Sequence, residues 1–122
     1  MNMIKKSSEE QVASVFKVLG SPFRIELIYS IGNGEACVCH LEATLKKRQA
    51  YISQHLMVLR DAGILKTRRD GKYIFYRIAD PKIFELIELT SSSLNIQTET
   101  KVQITDLIRQ DNCVCPMCNE EP

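Results

Sequence analysis

No cysteine occurs between Cys39 and Cys113, and no histidine follows His55. No apolar run approaches the roughly 20 residues that a membrane-spanning helix needs. The two lysines near the N-terminus, Lys5 and Lys6, are not followed by the apolar stretch of a secretory leader. No membrane partner is expected, and the expected localisation is cytoplasmic. No internal repeat is present. Net charge is also nearly absent, with 16 Lys and Arg against 15 Asp and Glu, a formal +1. The odd number of cysteines, five, does not suit a complete disulfide framework. In a reducing compartment, clustered thiols read as metal ligands or redox-active groups.

What cysteine there is lies in two tight clusters, Cys37-Val38-Cys39 and Cys113-Val114-Cys115-Pro116-Met117-Cys118. At 122 residues the chain is expected to form one domain with a modest core, so a dimer that shares its core is plausible. The charge is unevenly spread. From Leu45 to Arg77 there are nine basic residues and two acidic ones, giving +7, which leaves −6 for the rest. A local basic footprint suits phosphate binding, although charge alone fits a solvated surface equally well.

The periodicity supplies the architecture. Ser7 and Ser8 before Glu9, Glu10 and Gln11 signal a helix start, and Val12, Val15, Phe16 and Leu19 recur at helical spacing up to Gly20. Ser21 and Pro22 suit the cap and first turn of a second helix, lined by Ile25, Leu27, Ile28 and Ile31 and ended by Gly32-Asn33-Gly34. A short third helix covers about 38–45, with Leu41 and Leu45 inward. A fourth covers about 49–62, with Ile52, Leu56 and Leu59 inward and Gly63 past its end. Residues 64–69 and 73–78 then flank Asp70-Gly71, predicting a hairpin with a tight type I′ turn. Asp80-Pro81 begins a fifth helix carrying Ile83, Phe84, Ile87 and Leu94, with fraying expected at Ser91-Ser92-Ser93. Residues 97–110 have a weaker helical pattern.

The predicted fold is mainly α with a small β-hairpin, a winged helix-turn-helix, dimeric. Residues 1–94 would form the DNA-binding and dimerisation domain, and 95–122 a C-terminal extension with a Cys-rich tail. The turn Lys46-Lys47-Arg48 delivers the start of helix four, and that half of a recognition helix reads base edges. The expected contacts to double-stranded operator DNA are Arg48, Gln49, Tyr51, Ser53, Gln54 and His55, with Arg68, Arg69 and Lys72 on the hairpin. His55, beside Leu56, could equally bond within the fold.

Three segments, Glu35-Ala36-Cys37-Val38-Cys39-His40-Leu41, Ile52–Leu65 and Asp70–Arg77, closely resemble the ArsR/SmtB family of metal-sensing repressors over about residues 10–92. The resemblance implies a homodimer through the first and fifth helices, released from a palindromic operator by its effector. A subset of that family binds metals or metalloids through Cys-Val-Cys-Asp-Leu on the third helix. Here His40 stands in place of the Asp, and is expected in a supporting or surface role. Glu42 stands where the arsenic type has a third Cys.

Two thiolates alone complete neither trigonal As(III) nor tetrahedral Cd(II). The expected site therefore joins Cys37 and Cys39 to one or two of Cys113, Cys115 and Cys118, the last pair having metal-knuckle spacing. Cys37 or Cys39 could instead be core residues, and the tail could hold a separate ion. The family's fifth-helix zinc site has no counterpart, because Asp80 is followed by Pro81 and Lys82 and by no histidine. The expected effector is a soft ion, As(III) first and then Cd(II) or Pb(II), with no organic cofactor. The alternative is a redox- or sulfide-responsive repressor using the same cysteines as a thiol/disulfide switch. No enzyme is expected, since no Cys-His-acid arrangement in a pocket-forming fold can be found.

Overall fold

Ser7 opens α1 (Ser8–Leu19) with a capping box. The Glu10 amide donates to Ser7 Oγ at 3.1 Å, and the Ser7 amide donates to Glu10 Oε1 at 2.8 Å. These bonds from Ser7 hold the Glu10 carboxyl below its ordinary pKa. The computed structural model describes residues 6–97. After α1 come α2 (Pro22–Ile31), β1 (Glu35–Cys37), α3 (Val38–Leu45), α4 (Gln49–Asp61), β2 (Leu65–Asp70), β3 (Tyr73–Ile78) and α5 (Lys82–Ser93). Pro22 occupies the first turn of α2 as expected, but the Ser21 hydroxyl makes no cap bond. The weak helical pattern of 97–110 and the cysteine tail lie outside the described residues.

Helix α2 is the hub. Leu27, Ile28 and Ile31 are fully buried, and α1, α3, α4 and β3 all pack around this helix. Surrounded so, it is apolar on nearly every side rather than along one stripe. Leu41 of α3 and Ile52, Leu56 and Leu59 of α4 complete the core, with Ile64, Leu65 and Tyr76 closing it from the sheet.

Helix α4 ends in a Schellman motif. The Gly63 amide donates to Arg60 O at 2.9 Å and the Ile64 amide to Leu59 O at 3.0 Å. The motif needs a left-handed residue, and Gly63 has φ +82°. Ile64, buried at 4% exposure, then fastens the chain to the core as it enters β2.

The expected hairpin is present as β2 and β3, and a third strand joins it in an antiparallel sheet of order β1-β3-β2. Strand β1 is only three residues long and pairs with a distant segment, Glu35 opposite Arg77 and Cys37 opposite Phe75. Nothing local marks so short a strand. The hairpin turn differs from the predicted one. Asp70 pairs with Tyr73, so the central residues are Gly71 and Lys72. Of these two only Gly71 has positive φ, +65°, which is the type II′ pattern.

Strand alternation gives the sheet two faces. Ala36, Leu65, Ile74, Tyr76 and Ile78 join the main core. Cys37 and Phe75 face the other way and form a second small cluster with Cys39 and Tyr73. Helix α5 buries no residue fully, and it runs through the serines that were expected to fray it, ending at Ser93. Val12 and Phe16 of α1 are 54% and 53% exposed, although their spacing had suggested core positions.

A Cβ built on Gly63 would meet no atom within 4 Å. Replacement by Ala should therefore destabilise through backbone strain alone, by about 1–2 kcal/mol, as read from urea unfolding. A loss well beyond that would mean that packing, not φ, fixes this glycine.

Candidate nucleic-acid interface and thiol site

The link between α3 and α4 turns at Lys46, a left-handed residue with φ +55° whose amide donates to Glu42 O at 2.9 Å. Lys47 and Arg48 are exposed, and Arg48 is the extended N-cap residue of α4. With Ile52, Leu56 and Leu59 inward, α4 turns Gln49, Ala50, Tyr51 and Gln54 to solvent, while Ser53 is half-buried. Met57, 51% exposed, lies three residues beyond Gln54 on the outward side and was not among the expected contacts. Its thioether could meet a thymine methyl group. The signal missed was the outward i, i+4, i+7 row of Ala50, Gln54 and Met57.

His55 is held within the fold. Arg24 of α2 donates Nε–H to His55 Nδ1 at 3.1 Å and Nη1–H to Val18 O at 2.9 Å. The His55 ring meets Phe23 edge-on at 5.1 Å and Tyr51 at 4.7 Å, and Phe23 and Tyr51 are 4.9 Å apart. Accepting from Arg24 requires a neutral imidazole with its proton on Nε2. Burial, and then the Arg24 charge, hold the His55 pKa below the usual 6.5. This cluster pins the outer half of α4 to α2 and thereby fixes its direction.

The hairpin carries Arg68, Arg69 and Lys72, all exposed. Arg68 and Arg69 are adjacent in β2 and so project from opposite faces. Arg68 donates to both Glu35 carboxylate oxygens, with its closest ion-pair contact at 2.8 Å, and lies 4.6 Å over the Phe75 ring. The Glu35 bonds raise the Arg68 pKa further. Arg68 is thus tied down on the side of the wing that bears the cysteines, while Arg69 points from the other side.

Cys37 is the N-cap residue of α3 and Cys39 is the second residue of that helix. Cys37 is buried and Cys39 half-buried. They are joined as a disulfide, with Cα atoms 5.4 Å apart. Of the supporting or surface role expected of His40, burial removes the surface one. The residue is 1% exposed, with Nδ1 3.3 Å from Cys37 Sγ, because N-cap and N3 side chains face one another across the first turn of a helix. One donor atom from each of Cys37, Cys39 and His40 falls within a span of 4.8 Å. Glu42, in place of a third thiol, is exposed. Cys113, Cys115 and Cys118 lie outside the described residues.

A recognition helix entered through the basic turn Lys46-Lys47-Arg48, a hairpin wing and a core built around α2 define a winged helix-turn-helix DNA reader. The model of the family described as bacterial regulatory protein, arsR family, matches residues 21–67. An uncharacterized HTH-type transcriptional regulator of Methanocaldococcus jannaschii is 42% identical over 66% of this chain and 91% of its own length. A biofilm growth-associated repressor of Agrobacterium fabrum is 48% identical over 70% of this chain and 72% of its own. A Staphylococcus aureus protein described as a cadmium resistance transcriptional regulatory protein, CadC homolog, is 34% identical over 70% and 71%. Among solved structures, the homodimeric winged helix-turn-helix domain of a possible ArsR-family regulator of Mycobacterium bovis superposes with a TM-score of 0.65 at 25% identity, covering 80% of this chain and 94% of that one. The chain belongs to the arsR family of bacterial regulatory proteins. It is a DNA-binding transcriptional regulator and not an enzyme. Among the described residues no helix is long and apolar enough to cross a membrane.

The lowered His55 pKa gives a pH dependence of defined sign. Unfolding releases His55 to its ordinary 6.5, so below that pH the unfolded chain takes up the proton first. The His55 contribution is complete above 6.5 and is lost as pH falls from there through the folded value. Thermal melts of the wild type and of His55→Gln should converge on acidification, the wild type losing the larger increment. Parallel curves would mean that His55 titrates normally in the fold.

Proposed function

We propose that the protein is a homodimeric repressor that leaves its operator when a thiophilic ion is captured by Cys37 and Cys39 with help from the tail thiols. The effector in this reading is As(III), Cd(II) or Pb(II). Residues 1–94 read DNA and dimerise, and 95–122 deliver Cys113, Cys115 and Cys118 to the ion. The observation that carries the reading is the placement of Cys37 and Cys39. They sit at the start of α3, which packs on the recognition helix α4, and on the sheet face shared with Phe75 and Arg68. A change at the sulfurs has two short routes outward, through α3 to α4 and through Phe75 to the wing. The cadmium description of the Staphylococcus aureus relative supports an ion of this class.

The operator contacts in this reading are Arg48, Gln49, Tyr51, Ser53 and Gln54 from α4 and its cap. Arg69 and Lys72 contribute from the wing. His55 orients the helix through Arg24, and Arg68 responds to the cysteine side. The dimer forms through α1 and α5, where Val12, Phe16 and Leu89 leave apolar side chains more than half exposed. The homodimer of the Mycobacterium bovis domain supports a second copy as the occupant of that surface.

The disulfide between Cys37 and Cys39 favours a second reading, a redox- or sulfide-responsive repressor. Two thiols there would give up two protons and two electrons to an oxidant, and the start of α3 would be locked.

Titration of reduced protein on operator DNA separates these readings. Cd(II) or As(III) should weaken binding by about 5–150-fold, the span of ordinary allosteric coupling. A Cys37→Ser, Cys39→Ser double variant should still bind DNA but ignore the ion. Release by an oxidant without any metal would select the second reading instead. No release under either treatment would sink both.

Phe16→Glu should convert the dimer to monomer in sedimentation equilibrium and lower operator affinity. A variant that remains dimeric would move the interface elsewhere.

A further inference from the structure

We propose that the His40 imidazole is the third ligand of the Cys37–Cys39 ion site, and that this ligand favours Cd(II) over As(III) among the effectors of that reading. The inference rests on the reading of that pair as an ion site and adds to it the ligand that selects the ion.

Three observations converge. The imidazole is buried at 1% exposure and directs Nδ1 at Cys37 Sγ from 3.3 Å. One donor atom from each of the three residues lies within 4.8 Å of the others. With the disulfide reduced and the two sulfurs separated, zinc–sulfur bonds of about 2.3 Å and zinc–nitrogen bonds of about 2.0–2.1 Å let one ion reach all three donors. Finally, the position that would carry a third thiol holds Glu42, whose carboxylate is exposed.

The chemistry of the set then chooses the ion. Two thiolates and one neutral imidazole balance a divalent cation, so the pocket becomes electrically neutral when filled. A thiol reductant first supplies the two electrons and two protons that return the disulfide to two thiols, itself becoming a disulfide, and ion binding then releases the two thiol protons to solvent. As(III) is satisfied by three thiolates, whereas imidazole is a good ligand for Zn(II) and related divalent ions. Half-buried Cys39 gives the ion its way in. A fourth position is left for water.

The test uses the full-length reduced protein and its His40→Gln variant, titrated anaerobically with Co(II) as an optical probe, and with Cd(II) and As(III). Loss of even an outer partner of a ligand costs about 10–100-fold in metal affinity. His40→Gln should therefore weaken Co(II) and Cd(II) by at least that factor and leave As(III) unchanged. Equal Co(II) and Cd(II) affinities in both proteins would overturn the inference.

Should the variant melt before titration, ¹¹³Cd NMR of ¹⁵N-histidine-labelled wild type decides. One ring nitrogen coupled to cadmium supports the inference, and coupling to neither histidine overturns it. A Cys113→Ser, Cys115→Ser, Cys118→Ser variant separates it from the shared-thiol reading. If that variant loses cadmium while His40→Gln retains it, His40 is no ligand and the tail site stands. If wild type binds no ion through Cys37 and Cys39, both readings fall together.

Discussion

The pairing of Cys37 with Phe75 across β1 and β3 is the contact on which the functional geometry depends. It makes the residue that caps α3 also a strand residue of the wing. The helix that leads into the DNA reader and the hairpin beside it therefore share one anchor. Phe75 carries the Arg68 guanidinium on its ring, and Arg68 returns to Glu35, two residues before Cys37. This closed circuit of backbone pairing, ring stacking and ion pairing spans three strands and the start of a helix. A perturbation at the sulfurs meets the wing without crossing the hydrophobic core.

On the far side of α4 a different device fixes the reading head. Leu56 and Ile52 bury the inner face, but burial alone leaves a helix free to roll slightly. The Arg24–His55 bond and the Phe23–Tyr51–His55 ring cluster remove that freedom. Arg24 also binds Val18 O, so a single guanidinium joins the end of α1 to the recognition helix. Since α1 presents Val12 and Phe16 outward, the proposed dimer surface and the reading head are mechanically close.

Much of this was legible in the sequence, for reasons that particular residues explain. Ser7 with Glu10, Pro22, and Gly63 marked helix ends because caps and left-handed positions accept few residue types. The 52–56–59 row identified the inner face of α4, since 3.6-residue periodicity survives any tertiary context. Strand β1 was hidden because three residues cannot show alternation and their partner lies about forty positions away. The burial of His40 was hidden for a similar reason: its sequence neighbours suggest a polar helix start, and only the folded chain turns its ring onto Cys37. Val12 and Phe16 illustrate the converse. Helical spacing identifies an apolar face but not whether this chain or another copy covers it.

The sulfur of Cys37 occupies the N-cap position of α3 without capping any of its backbone amides. Ser or Asp there would contribute about 1 kcal/mol to the helix. The first turn of α3 thus forgoes the usual intrinsic fastening, and its order is lent by whatever engages the sulfur. In the proposed function the effector-binding atom is also the one at the uncapped end of the helix, so chemistry at that atom acts directly on the first turn of α3.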